Sequence, residues 1–210
     1  MSLESQLSAL AEHYSKISPP ELGNSIHDIE ASFDPKQSIQ PGDVLPEFSL
    51  SDATGKTTSS TELLASGPLL ITFYRGGWCP YCNLALGSLQ ARLGEFQTRG
   101  VTLVGISPEL PNTSLSVSEK NELQFPVLSD PGNELARKLG LVWTMPGYLR
   151  PLFDQFGIDL KSRNGDDSFE VPIPANLLVD GKGIVRNVYA NADYRRRLEP
   201  TEALAWIDAL

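Results

Sequence analysis

Little freedom is left to residues 70 to 83, where Leu70-Ile71-Thr72-Phe73-Tyr74 runs straight into Arg75-Gly76-Gly77-Trp78-Cys79-Pro80-Tyr81-Cys82-Asn83. A short run of β-branched and aromatic residues predicts a buried strand, and the Gly-Gly pair after it predicts the turn that ends it. Pro80 suits a first helical position, where its missing N–H costs nothing. Leu84, Leu86, Leu89, Leu93 and Phe96 then recur at roughly helical spacing. The stretch therefore reads as strand, tight turn and helix N-terminus, with the chain's only two cysteines at the helix start. A thiol there faces unpaired backbone N–H groups and the positive end of the helix dipole, which favour the nucleophilic thiolate.

Two cysteines at this spacing close a small disulfide ring with little backbone movement, so both redox states are accessible and thiol redox cycling is the expected chemistry. Plainer readings are weaker. A zinc site needs about four ligands, and beyond the thiols there are only His13 and His27, far upstream. No metal is expected. So tight a ring constrains little of the unfolded chain, which argues against a purely structural disulfide. Two inert buried thiols would leave the Gly-Gly, Trp and Pro context unexplained.

The chain's 210 residues suffice for one domain with elaborations and a proper core. A formal net charge of −9 argues against nucleic acid or an anionic membrane as partner. The N-terminal stretch has no basic region followed by an apolar run, and no later stretch approaches transmembrane length. The expectation is a cytoplasmic protein whose dithiol rests reduced.

In chain order, Leu3, Leu7, Leu10, Tyr14 and Ile17 predict an amphipathic helix stopped by Pro19-Pro20, and Leu22, Ile26, Ile29 and Phe33 a second. Their apolar faces must be covered by their own domain or by a second copy in a homodimer. His13 and His27 lie on these helices and are assigned no chemistry. Residues 44 to 59 suggest short strands around a turn at Ala53-Thr54-Gly55, and 61 to 65 a brief helix. Val101 to Ile106 is a second apolar strand, reached after a helix ending at Arg99-Gly100, so a parallel crossover and an α/β core are expected. Residues 114 to 122, 133 to 139 and 148 to 156 suit helices, Phe125 to Leu128 a strand and Lys161 to Asp167 a polar loop. Pro172 to Asp180 reads as a strand with proline at its start, turned by Gly181-Lys182-Gly183 into Ile184 to Tyr189. A helix from about Glu199 closes the chain.

Pro41-Gly42 through Phe48-Ser49-Leu50, Phe73 through Cys82, Val104-Gly105-Ile106-Ser107, Phe125 through Asp130, and Val179 through Gly183 together resemble the peroxiredoxin-like (alkyl hydroperoxide reductase/thiol-specific antioxidant) branch of the thioredoxin-fold superfamily, among its members with an active-site Cys-x-x-Cys. The resemblance covers about 41–210. Residues 1–40 are then an N-terminal helical extension and linker, ahead of a thioredoxin-like domain with a central mixed β-sheet flanked by helices.

This resemblance implies a thiol oxidoreductase that cycles Cys79 and Cys82 between dithiol and disulfide, without metal, flavin or nucleotide. On the peroxiredoxin pattern Cys82 takes the peroxidatic place. On the thioredoxin pattern, Trp78-Cys79-Pro80-Tyr81-Cys82, Cys79 attacks first. The implied substrate is a hydroperoxide or, alternatively, a protein disulfide, with an external thiol system of thioredoxin or glutathione type as reductant. A redox-sensing interaction protein and a glutaredoxin-like glutathione exchange are further alternatives. Where peroxiredoxins carry an arginine before the late strand this chain has Pro174, a thioredoxin-like feature that implies a cis Ile173-Pro174 bond and a substrate contact there. The buried Asp of thioredoxins is replaced by Thr72 and Phe73. Arg75 is the residue expected to lower a thiol pKa and orient peroxide, unless it merely pairs with a surface carboxylate. Trp78 and Tyr81 are expected to contact substrate, Tyr81 from an exposed position.

Overall fold

The computed structural model describes residues 1–113 and 121–210. Helices α1 (Leu3–Ile17) and α2 (Pro20–Ser32) precede a seven-stranded sheet built from β1 (Ser49–Asp52), β2 (Thr57–Ser59), β3 (Leu69–Phe73), β4 (Thr102–Ser107), β5 (Val127–Ser129), β8 (Ala175–Val179) and β9 (Val185–Ala190), with the short helix α3 (Ser60–Ala65) between β2 and β3. Its strand order is β2-β1-β5-β4-β3-β8-β9. β4 runs parallel to both β3 and β5, while β8 is antiparallel to β3 and β9, and β1 is antiparallel to β2 and β5. The mixed sheet flanked by helices, with a helical extension ahead of it, is thus the architecture expected from the sequence.

β3 is buried at every residue because packed layers cover both faces of the sheet, which is why it reads as a continuous apolar run. Its side chains alternate. Leu70 joins the core around the cysteine helix, and Leu69, Ile71 and Phe73 join the core on the opposite face.

Several boundaries differ from the sequence reading. The helix after the cysteines is two, α4 (Pro80–Gln90) and α5 (Leu93–Thr98), broken at Ala91-Arg92 although the apolar spacing runs on across the break. β6 (Val142–Thr144) and β7 (Glu170–Pro172) form a separate antiparallel pair that three-residue strands gave no pattern to predict. The expected loop at Lys161 to Asp167 begins as a helix, Leu160–Asn164, capped by Asp159, whose carboxylate accepts the Ser162 N–H at 3.0 Å. The expected strand from Pro172 is interrupted at Ile173-Pro174, and β8 begins at Ala175. There is no cis peptide bond among the described residues, so Ile173-Pro174 is trans, contrary to expectation. Ile173 donates its N–H to the Leu141 carbonyl at 2.8 Å, which ties this link to the stretch leading into β6. Most of the helix expected at 114 to 122 lies outside the described residues; Asn121 and Glu122 form a turn.

α1 packs on α4, with Leu3 and Leu7 buried in the same core as Leu86 and Leu89. The Glu199 carboxylate, just ahead of the closing helix Pro200–Asp208, accepts the Leu3 and Glu4 N–H groups at 3.3 and 2.6 Å and so fixes the first turn of α1. No helix among the described residues is long and apolar enough to cross a membrane.

Candidate active site

β3 delivers the chain to the site. Tyr74 still donates its N–H to the Ile106 carbonyl at 3.0 Å, and the backbone then leaves the sheet through Arg75-Gly76-Gly77-Trp78. Gly76 has φ +142°, a region L side chains avoid, and a Cβ there would lie 2.4 Å from Trp78 Nε1 and 3.0 Å from Glu109 Cδ. Gly76→Ala is therefore expected to destabilise the protein by about 1–3 kcal/mol and to slow alkylation of the thiols, read from a urea melt and an iodoacetamide time course. An unchanged urea midpoint would contradict it.

Cys79 is the N-cap residue of α4, with Pro80 in the first helical position as the sequence implied. Its carbonyl accepts the N–H groups of Cys82 and Asn83 at 3.0 and 3.1 Å. The turn is clamped from two sides. Gly77 donates its N–H to Glu109 Oε2 at 2.7 Å, and Asn83 Nδ2 donates to the Gly77 carbonyl at 2.9 Å. Glu109, fully buried just beyond β4, is also paired with Arg163 at 3.1 Å.

Both cysteines are free thiols with no solvent exposure. Arg75 Nη2 lies 3.6 Å from Cys79 Sγ, and Arg197 Nη2 lies 3.4 Å from Cys82 Sγ. The Arg75 guanidinium is stacked between Trp78 and Tyr194, 4.8 and 3.9 Å from the ring centroids, and is 7 % exposed. It pairs with no carboxylate among the described residues, so the surface ion-pair alternative for Arg75 is not what forms. Arg197 is oriented by the Tyr194 and Arg196 carbonyls, to which its Nη1 donates.

The electrostatics separate the two sulfurs. Burial works against a Cys79 thiolate, but the hydrogen bond from Cys82 and the charges of Arg75 and Arg197 outweigh it and hold Cys79 well below the usual thiol value. Burial, reinforced by the proton shared with Cys79 and by that sulfur's charge, pushes Cys82 well above it. The two thiols therefore titrate together, and of the two Cys79 is the one favoured to carry the negative charge.

A cavity of about 510 Å³ opens over this site. Arg75, Trp78, Pro80, Tyr81, Phe153, Phe156, Ile158 and Tyr194 line it from the body of the domain, and α1, α2 and the turn between them supply most of the rest. Trp78 is half-buried, with its ring edge-on to Phe153 at 5.2 Å. Tyr81 reaches the cavity but is only 6 % exposed, a correction to its expected exposed position; its ring packs against Tyr14 and Tyr194 at 6.2 and 5.8 Å. Ile173 and Pro174 are buried and do not line the cavity, since β8 begins immediately after them by pairing Ala175 with Phe73 inside the sheet.

Arg197, Glu109 and the cavity-facing side of α1 and α2 went unnoticed in the sequence. The Arg195-Arg196-Arg197 run in an acidic chain was the available hint for the first; Glu109 had none.

Residues 41–188 match the AhpC/TSA family. A Mycobacterium tuberculosis protein (strain H37Rv) provisionally named a peroxiredoxin is 33 % identical over 102 residues, which cover 49 % of this chain and 64 % of that protein. Peroxiredoxin Q, chloroplastic, of Gentiana triflora is 30 % identical over 123 residues, covering 57 % of this chain and 56 % of the relative. The chain thus spans less than two thirds of the length of these curated relatives. Among solved structures, the peroxidoxin BcpB from Mycobacterium tuberculosis superposes with a TM-score of 0.65 at 21 % identity, over 82 % of this chain and 98 % of that one. A cysteine-to-serine mutant of peroxiredoxin 6 of Arenicola marina gives 0.66 at 19 % identity, over 81 % and 72 %. These two likenesses establish a shared fold.

Proposed function

Because this chain belongs to the AhpC/TSA family, we propose that it is a thiol-dependent peroxidase in which Cys79 is oxidised by a hydroperoxide and Cys82 resolves the product. The observation that carries this reading is a buried sulfur, favoured as thiolate, beside the Arg75 guanidinium, which itself lines a cavity. The Cys79 thiolate attacks the distal peroxide oxygen, the O–O bond breaks, and the alkoxide leaves with the proton from Cys82. Arg75, with its planar array of donors, steadies the charge moving from sulfur to oxygen. The Cys82 thiolate then attacks the Cys79 sulfenic acid. The disulfide forms as hydroxide departs and takes a proton from solvent. Two electrons from an external thiol restore the dithiol. A cytoplasmic setting, where thiols are kept reduced, fits this cycle.

Burial of both sulfurs behind a cavity of small-molecule size speaks against the disulfide-reductase alternative, because a hydroperoxide fits that cavity as far as Arg75 and a folded protein partner does not. Two observations favour reversed roles for the two cysteines: Cys82 takes the peroxidatic place on the peroxiredoxin pattern, and Arg197 contacts its sulfur.

The test is sulfenic-acid trapping by mass spectrometry after a stoichiometric pulse of hydroperoxide. Cys82→Ser is expected to accumulate sulfenate at Cys79 and Cys79→Ser to lose the fast reaction, while the wild type forms the Cys79-Cys82 disulfide. Fast sulfenate formation at Cys82 in the Cys79→Ser protein would reverse the roles. Wild-type oxidation no faster than that of a free thiol would sink the peroxidase reading.

A further inference from the structure

A large part of the cavity's wall comes from outside the matched family segment. Tyr14 and Ile17 of α1, Leu22, Gly23 and Ile26 of α2, and the Pro19-Pro20 turn all precede residue 41. The lining is predominantly apolar, and its volume of about 510 Å³ falls in the range of sites for small organic ligands, far beyond what hydrogen peroxide needs. The mouth is apolar too: Ile17 and Phe156 are 63 and 48 % exposed there. Within this lining Arg75 is more than nine-tenths buried, and its Nε has no hydrogen-bond partner among the described residues. A buried cation with an unused donor calls for an acceptor atom on whatever enters. The same guanidinium touches the Cys79 sulfur, so an oxygen that meets Arg75 is delivered to the thiolate.

We propose that the α1–α2 helix pair is a substrate-selecting element, which makes this dithiol prefer organic hydroperoxides with a bulky apolar body over hydrogen peroxide. The inference rests on the peroxidase reading above and adds to it the class of substrate and the residues that choose it. The apolar body fills the space under Tyr14, Leu22 and Ile26, and the peroxide oxygens meet Arg75. Hydrogen peroxide gains only the Arg75 contact and leaves the apolar wall unused. Selection therefore resides in the extension, and chemistry in the cysteine loop.

Gly23 offers a clean way to occlude the site. It lies in α2 on the cavity wall, its φ is not in the left-handed region, and a Cβ there meets nothing within 4 Å. The experiment measures second-order rates of oxidation of the reduced full-length protein by cumene hydroperoxide and by hydrogen peroxide, for wild type, Gly23→Phe and, as a surface variant that leaves the core untouched, Ile17→Asp. The ratio of the two rates is expected to favour cumene hydroperoxide by about tenfold or more in the wild type. It is expected to fall severalfold in both variants. The unreactive alcohol 2-phenyl-2-propanol is expected to slow the cumene hydroperoxide reaction competitively. Equal rates for the two oxidants in the wild type, a ratio unmoved by both variants, or no protection by the alcohol would overturn the selecting role. If neither oxidant outpaces its reaction with a free thiol, it is the peroxidase reading itself that fails.

Discussion

Arg75→Met is expected to slow oxidation of the reduced protein by any hydroperoxide about a hundredfold near neutral pH, the usual scale for loss of one preorganised donor at a reacting atom. The guanidinium sits 3.6 Å from Cys79 Sγ with almost no solvent to screen it. Its removal takes away one of the causes that hold Cys79 below the ordinary thiol value, so the Cys79 pKa rises. The rate of Cys79 alkylation falls on the acid side of its pKa, as the thiolate is protonated, and the lowered pKa keeps that limb below the range of an ordinary thiol. In the variant that limb moves to higher pH. Methionine has similar reach and is apolar. Exchanging a buried cation for it is expected to leave the urea midpoint nearly unchanged, which separates lost reactivity from lost fold. Arg75→Lys keeps the charge without the planar group stacked between Trp78 and Tyr194, and recovers only part of the rate. A methionine variant within threefold of wild type, with an unmoved pH profile, would remove Arg75 from the mechanism.

The largest effect on stability is expected from Glu109→Ala. This carboxylate has no solvent exposure, accepts the Gly77 N–H at 2.7 Å and pairs with Arg163 at 3.1 Å. Truncation leaves a half-buried backbone donor without its acceptor and a cation without its counter-charge, at a cost of about 3 kcal/mol. Glu109→Gln keeps an oxygen for Gly77 and is expected to recover most of that loss. The two substitutions also differ at the cysteines. Burial pushes the Glu109 carboxyl up, and its charge and that of the Cys79 thiolate disfavour one another. With glutamine this repulsion is gone, so the acid limb of the Cys79 alkylation profile moves to lower pH. A urea midpoint for Glu109→Ala equal to that of wild type would mean that the clamp on the Gly76-Gly77 turn carries no weight.

What was legible in the sequence was what neighbouring residues decide. β3, the Gly-Gly turn and the start of α4 follow from residue types in direct succession, and Arg75 was found because it is four residues from Cys79. Arg197 lies 115 residues from Cys82, and Glu109 lies 32 from Gly77. Only the order of strands in the sheet and the path of the 191 to 199 loop bring them together. Apolar periodicity could not find the break between α4 and α5, because Leu89, Leu93 and Phe96 stay on the buried side through it. The proline before β8 invited a thioredoxin-like reading, whereas the trans bond and the burial of Ile173 make it a link between two sheets. The amphipathic pattern of α1 and α2 was plain, but the pattern says that a face is covered and is silent on the hollow left beneath it.

The position of Cys79 at the cap of α4, with Cys82 inside the first turn, bears on how such a site survives its own oxidant. A sulfenate on Cys79 has its partner thiol already in hydrogen-bonding contact, one turn of chain away at the same helix start. The second oxidation, to an irreversible sulfinic acid, requires another peroxide molecule to arrive before that closure. With resolution so near at hand and the site enclosed, the proposed cycle is expected to outlast bursts of peroxide that would permanently inactivate an enzyme whose second cysteine must first travel to meet the first.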